Sequence, residues 1–590
     1  MKRWSPIPPV SDREFYERIA ASDYGKMMLE EAEAVLTLPL PAPTEELYRQ
    51  SFATRDRARY ETQILELNQH SRTLAIALLL KPERKFIEKF TALLDIYSQM
   101  KSWLLPAHDR YPHTTIPMAN IDEIITTTDL VSLDIASGMS IAIGALESIL
   151  PADSVAKFKA KAAKLVIEPI TLIARNRRPY NYWMILPHNW NAVCYCNTIL
   201  TFLASDVPES DRKMVVDFAL ARIKYFINGF NVDGYCQEGP GYFGYGFGHY
   251  TYLSWALYEA SGHKLNLFDS DRVKQIAAFP EKMMLSETQL PLFCDCNPKI
   301  FIRRDLMEIR DYLVGKSDKV NFLPPRMEQT GRPQDLTLLQ QLMLIGFSSS
   351  ENLRDIRLND FDAFPETGVF VWRGDEFSFC IKGGHNREFH NHNDVGNFVL
   401  VQNNKTLLID AGQPRYNMDS FHSGKKGKPN KLRTSYGHQV PVCDGNLQLS
   451  GFESRGIVKH YDENGATLDI TTPYRQSCLK TLLRKVDFDR EKRQVTVSDT
   501  ANFAEEAEFA VPLVTFGKWE EVEPGTLRIF RENEWEFICK ISASGEYSIS
   551  DELIDDDILF DEPVRRILFT FKDKAKDFKI STTFILEDKQ

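Results

Sequence analysis

Along roughly the first 350 positions, apolar residues return every three or four places. In DRKMVVDFALARIKYFINGF, Val215, Phe218, Ala219, Arg222, Ile223 and Phe226 follow i, i+3, i+4 spacing, and Asn228-Gly229 supplies a stop. The same period predicts helices over Lys26–Leu36, Arg84–Trp103, Asp129–Ile149, Ala156–Ala174, Asn191–Ala204 and Tyr250–Ala260. Many helices of similar length with short polar joints suggest hairpins stacked into a ring or solenoid, although no tight sequence repeat marks one. From about Thr367 the period shortens to two. GVFVWRGDEFSFCIKGG reads as strand, Gly-Asp turn, strand, and NFVLVQNNKTLLIDAG as strand, Asn403-Asn404 turn, strand. ATLDITTPY, RQVTVSDTANF, TLRIFRENEWEFICKISA and RRILFTFK continue the alternation. The expected architecture is a multidomain chain, α then β: a helical domain over 1–350, a join over 351–366, and an antiparallel β-sandwich over 367–590.

The length of 590 residues supports this division, because it exceeds what one compact core accommodates. Hydrophobic residues at 43% and charged residues at 26% are ordinary globular values. A net charge of −11 argues against a general nucleic-acid binder, which needs a basic face for phosphates. Nine cysteines are an odd number in a long chain, so no small disulfide scaffold is expected. Cys194-Tyr-Cys196 and Cys294-Asp-Cys296 lack the usual zinc spacing, and the thiols are read as reduced and structural. Leu130 to Leu150 is the most apolar long stretch, but Asp134, Ser137, Ser140 and Glu147 interrupt it. It reads as a buried helix and not a membrane span. MKRWSPIPPV offers no secretory core, so the expectation is cytoplasmic if the chain is complete, periplasmic or secreted if a signal peptide has been removed.

Four stretches carry candidate chemistry. In LPHNWNAVC, His188, Asn189 and Asn191 flank Trp190 where a helix starts; an asparagine there is either an N-cap or an amide placed to meet a carboxylate. DGYCQEGPGYFGYGFGHY packs six glycines into eighteen residues and reads as a close-packed loop carrying Glu238, Tyr242, Tyr245 and His249. It lacks the Lys-Ser/Thr ending of a phosphate loop. REFHNHNDVGNFVL places His390, His392 and Asp394 at alternating positions, which on a strand share one face. Asp410 and His438 follow in LLIDAG and SYGHQVPVCDG. Two histidines and a carboxylate from such a group make a zinc-like set, against the alternative of solvated or core-satisfied histidines. Last, Arg415, Lys425, Lys426, Lys428, Lys431 and Arg433 form a basic run in an acidic chain, either a solvated loop or a patch for a polyanion.

Taken in order, HNWNAVC, DGYCQEGPGYFGYG, HNHNDVGNFVL…LIDAG and SYGHQVPVCDG resemble the heparinase II/III superfamily of polysaccharide lyases, over roughly residues 180–450. The resemblance implies an N-terminal (α/α) toroid, complete or lacking N-terminal helical pairs, and a C-terminal antiparallel β-sandwich. It implies β-elimination on a uronate: one group quenches the carboxylate, one takes the C5 proton and one protonates the leaving oxygen. By resemblance, Asn189 with His188 takes the carboxylate position, and Tyr242, in the Glu238-x-Pro-x-Tyr setting, is the acid/base, with Tyr245 as competitor. His390 is the catalytic histidine. His392, Asp410 and His438 form a metal site, one structural zinc per chain, with no organic cofactor. Asn191, Trp190, His249, Arg415 and Lys425 are substrate-binding candidates. The expected partner is an acidic glycan, glycosaminoglycan first, then alginate, gellan-like or other acidic polymers; neither nucleic acid nor membrane is expected. Two other readings stay open. One is a hydrolase pairing Glu238 with Asp233 or Asp394, which needs carboxyls about 5–9.5 Å apart. The other is a non-catalytic glycan binder.

Overall fold

The computed structural model describes residues 1–54, 56–108, 128–316, 325, 335–347, 356–416, 430–555 and 558–586. The N-terminal part is a double layer of helices. Leu130–Leu146 packs on Asn189–Ala204, which packs in turn on Gly239–Ala260. All three are apolar nearly all round, as inner helices covered on every side must be. Ala152–Ala162 and Glu209–Leu220 cover the inner layer with one apolar face each, and Arg84–Gln99 packs on Ala152–Ala162 and Ala58–Leu80. The apolar stretch after Leu130 is thus an inner helix, and among the described residues no helix is long and apolar enough to cross a membrane.

The glycine-rich stretch departs from its loop reading. Gly239–Ala260 is one continuous helix, opened by Pro240 in its first turn. Glycine normally weakens a helix, so the compensation has to come from close approach. A Cβ on Gly246 would sit 2.9 Å from the Cβ of Asn189, and one on Gly241 would sit 3.2 Å from the Cα of Cys296. The missing side chains let two other backbones lie against this helix.

The alternating half folds as predicted into stacked antiparallel sheets. A five-stranded sheet runs in the order Phe361–Phe364, Val369–Arg373, Phe377–Ile381, Phe398–Gln402, Lys405–Leu408. Its first strand lies inside the stretch read as the join. The Asn403-Asn404 turn has both residues at positive φ (49° and 58°), which matches the twist of a two-residue hairpin. An eight-stranded sheet, a four-stranded sheet and a two-stranded sheet complete the domain among the described residues. The three central strands of the five-stranded sheet are buried at every position. Val369, Val371, Cys380, Val399 and Val401 join the helical core, while Phe370, Trp372, Phe379, Phe398 and Leu400 join the sandwich core. One sheet is therefore shared by two cores, and the two halves meet along it. Buried Arg373 reinforces the seam: it donates to the carbonyls of Met284 (2.7 Å), Lys282 (2.9 Å) and Glu281 (3.1 Å) at a helix end and pairs with Asp362 (2.7 Å).

The nine cysteines are free thiols, and eight of them are buried.

Candidate active site

REFHNHNDVGNFVL is not a strand until Phe398; residues 387–397 form a loop. The reading of His390, His392 and Asp394 on one strand face is thereby corrected. His390 has φ 55°, a left-handed conformation that strand geometry excludes. The three side chains part company. Asp394 turns inward to a fully buried lysine, with Lys382 Nζ 2.5 Å from its Oδ1, while both histidines turn to Asp295.

Asp295 comes from the helical half, in the Cys294-Asp295-Cys296 stretch, and is 3% exposed. Its Oδ2 lies 3.0 Å from His390 Nδ1 and its Oδ1 lies 3.2 Å from His392 Nε2. Arg433 Nη2 donates to both oxygens, at 3.0 and 3.2 Å. Burial alone would raise this carboxyl, but the hydrogen bonds of His390 and His392 and the charge of Arg433 outweigh it and hold it well below the usual carboxylate range. An ionised carboxylate only accepts, so His390 Nδ1 carries a proton toward Asp295, and the other ring nitrogen, Nε2, faces Glu238.

Tyr242, in the first turn of the glycine-rich helix, stacks on that ring: centroids 3.9 Å apart, planes at 18°. Its hydroxyl is 3.2 Å from the hydroxyl of Tyr416, which comes from the sheet half. Burial pushes the Tyr242 phenol well above its ordinary value, and Asp295 and Glu238 add to the shift. The group is therefore a phenol at neutral pH. Tyr245 is half-buried, packs edge-on against His249 (5.0 Å) and borders two cavities, one lined also by Tyr242 and Asp295, the other by Arg72 and Asp134.

Below Tyr242 and His390 lies the N-terminus of the Asn189–Ala204 helix. Its N-cap is His188, not an asparagine: His188 has extended backbone, and its Nδ1 accepts from Trp190 N at 3.4 Å. Burial and the neighbouring His390 push His188 down to about 3, so it is neutral and presents Nε2–H. Glu238 reaches across from the residue before the glycine-rich helix. Its Oε1 accepts from Asn189 N at 2.8 Å, and its Oε2 accepts from Asn189 Nδ2. A carboxylate here meets the positive end of the helix. Burial nevertheless pushes Glu238 upward, with His390 and Asn189 acting against that. His390 Nε2 is 3.8 Å from Glu238 Oε2.

Other candidates lie apart from this group. Asn191 is buried and donates to the carbonyls of Met184 (2.9 Å) and Trp183 (3.3 Å), holding the turn that precedes its helix. Trp190 is half-buried against the rings of His108 and Tyr182. His249 is buried, bonded to Tyr245 O at 2.7 Å within its own helix, and burial pushes it down to about 4. Arg415 Nε donates to Ile558 O at 3.0 Å. Lys425 lies outside the described residues, with Lys426 and Lys428. Asp233 is spent on Thr367, accepting from its backbone N at 2.9 Å and from its hydroxyl.

His392, Asp410 and His438 converge, with ligand atoms all within 4.8 Å of one another and all three residues buried. Each histidine has its outer nitrogen engaged. His392 Nε2 meets Asp295, and His438 Nε2 meets Leu432 O at 2.7 Å. The inner nitrogen of His392, Nδ1, is buried with no partner among the described residues. His438 Nδ1 is 3.3 Å from Asp410 Oδ2. An orphaned buried lone pair facing a histidine and a carboxylate is the donor set of a cation site.

A helical half followed by an antiparallel sheet half is the architecture of several solved polysaccharide lyases. Residues 356–583 match the family model described as Heparinase II/III-like, C-terminal. Among solved structures, heparinase III is similar with TM-score 0.63 and 13% identity, over 98% of this chain and 94% of that one. Heparan sulfate lyase HepC from Pedobacter heparinus gives 0.56 and 12%, over 98% and 93%. A mutant chondroitin AC lyase of Streptomyces coelicolor A3 gives 0.55 and 12%, over 99% and 83%. At such identity the likeness is one of fold. No curated protein sequence matches.

Sequence reasoning missed Asp295, Tyr416 and Lys382. Asp295 had one signal, a lone acid between two cysteines, set aside because the cysteine spacing failed as a zinc motif. Tyr416 had none, because its partner lies 174 positions away.

Proposed function

We propose that the protein is a polysaccharide lyase that cleaves uronate-containing glycans by β-elimination, with glycosaminoglycans as first substrate class. The observation that carries this is the Tyr242–His390 stack across the junction of the two halves, with Asp295 holding the Nδ1–H of His390. In the proposed reaction the substrate carboxylate lies at the N-terminus of the Asn189–Ala204 helix, where His188 Nε2–H and the positive helix end lower its charge, and Asn189 joins them by exchanging Glu238 for the substrate. That acidifies the C5 proton, which His390 Nε2 takes. Tyr242, a phenol when the substrate arrives, donates its proton to the O4 leaving group, with Tyr416 as its hydrogen-bond partner. C4–O breaks as the C4=C5 double bond forms.

His392 Nδ1, His438 Nδ1 and Asp410 would hold one zinc, whose chemistry here is structural: it ties the loop of His390 to the sheet. The hydrolase alternative loses support because Asp233 is bound to Thr367 and Asp394 to Lys382, leaving neither free to activate water. The test is a panel of acidic glycans followed by ultraviolet absorbance. A lyase produces the conjugated unsaturated uronate; reducing ends without absorbance would replace this reading with hydrolysis, and neither signal would leave a binder.

A further inference from the structure

Asp295 stands between the two histidines of the 387–397 loop and spends a different oxygen on each. The contact is doubled by the main chain, since Asp295 N donates to His390 O at 3.0 Å. Cys294 (φ 65°) and His390 (φ 55°) both hold left-handed backbone, a conformation costly for residues with a side chain. The strain is spent on seating one carboxylate against two rings. Because an ionised carboxylate only accepts, it fixes opposite tautomers: Nδ1–H on His390, Nε2–H on His392. The other nitrogens are Nε2 of His390, 3.8 Å from Glu238 Oε2, and the inner nitrogen of His392, which makes no hydrogen bond among the described residues.

We propose that Asp295 is a positioning residue that couples the metal site to the catalytic histidine: the same carboxylate holds His392 in its ligating tautomer and His390 in its proton-accepting one. The His390 half rests on the lyase reading, and the His392 half rests on the convergent ligand set. Displacing His392 then turns the carboxylate and, through it, His390.

Asp295→Asn keeps the shape but offers one acceptor oxygen where two are needed. Folding is checked by thermal unfolding. The expected result is a fall in kcat of about 10–100-fold with KM within about threefold, and zinc release to a chelator about 10-fold faster or more, the range seen when a metal ligand loses its outer partner. Lost turnover with wild-type zinc release, or faster release with full turnover, overturns the coupling. If the variant does not fold, zinc-stripped wild-type protein answers instead: kcat should fall at unchanged KM and return on adding zinc, and full kcat in the stripped protein overturns the proposal. A wild-type protein inactive on every acidic glycan removes the lyase reading and the His390 half with it; unchanged zinc release in Asp295→Asn removes the other half on its own.

Discussion

Tyr242 and His390 illustrate how far single residues decide this chemistry. Tyr242 is held as a phenol by burial, so in the proposed reaction its task is to give a proton. Tyr242→Phe keeps the ring that stacks on His390 and removes only that proton; lyase turnover should fall by about 100-fold or more while the unfolding midpoint stays put. Glu388 supplies a pH dependence. Burial, with Lys382 acting against it and Asp394 for it, pushes this carboxyl up to about 7; Lys382 Nζ is 3.8 Å from its Oε2, too far for a hydrogen bond. A carboxyl raised on folding binds its proton more tightly in the native state. Stability from this group is thus greatest at acid pH and declines as pH rises from the ordinary glutamate range, about 4.5, through about 7. Glu388→Gln should flatten the decline, measured as denaturant midpoints at pH 5 and pH 8. An equal slope in both proteins would contradict the assignment.

Among elements, the glycine-rich helix is the one whose sequence and structure disagree most instructively. Its composition favours a loop, and tertiary packing overrides that because Gly239, Gly241 and Gly246 each admit another backbone. Gly246 admits Asn189, and Gly241 admits the segment that carries Asp295. Gly246→Ala should cost about 1–3 kcal/mol, as overpacking does, and should lower turnover by shifting Asn189. Calorimetry and the glycan assay check the two effects separately. Gly244, where a Cβ would meet nothing within 4 Å, is the control, and Gly244→Ala should be neutral or stabilising.

For the whole molecule, the active site exists only where two cores meet. Tyr242, Glu238, Asn189 and Asp295 belong to the helical half, and His390, Tyr416 and Arg433 to the sheet half. Arg373 fastens those halves, and Arg373→Ala leaves Asp362 and three helix-end carbonyls buried without their donor. The expected cost is about 3–5 kcal/mol, read by urea unfolding. Turnover should fall alongside it, because the seam also positions His390 against Tyr242.

Periodicity alone determined the order of the halves, helices then sheets, and located the hairpin turns, because those patterns are local: 3.6 and 2 residues set which faces are apolar. Most residues of the site were also legible, since histidines, tyrosine and glutamate cluster in short motifs. Tertiary structure decided what each one touches. The strand face imagined for His390, His392 and Asp394 dissolved into a loop whose side chains answer to Asp295 and Lys382, and the supposed loop around Tyr242 became a helix. Burial, close approach and hydrogen bonds between distant positions are long-range quantities, and no window along the chain contains both partners.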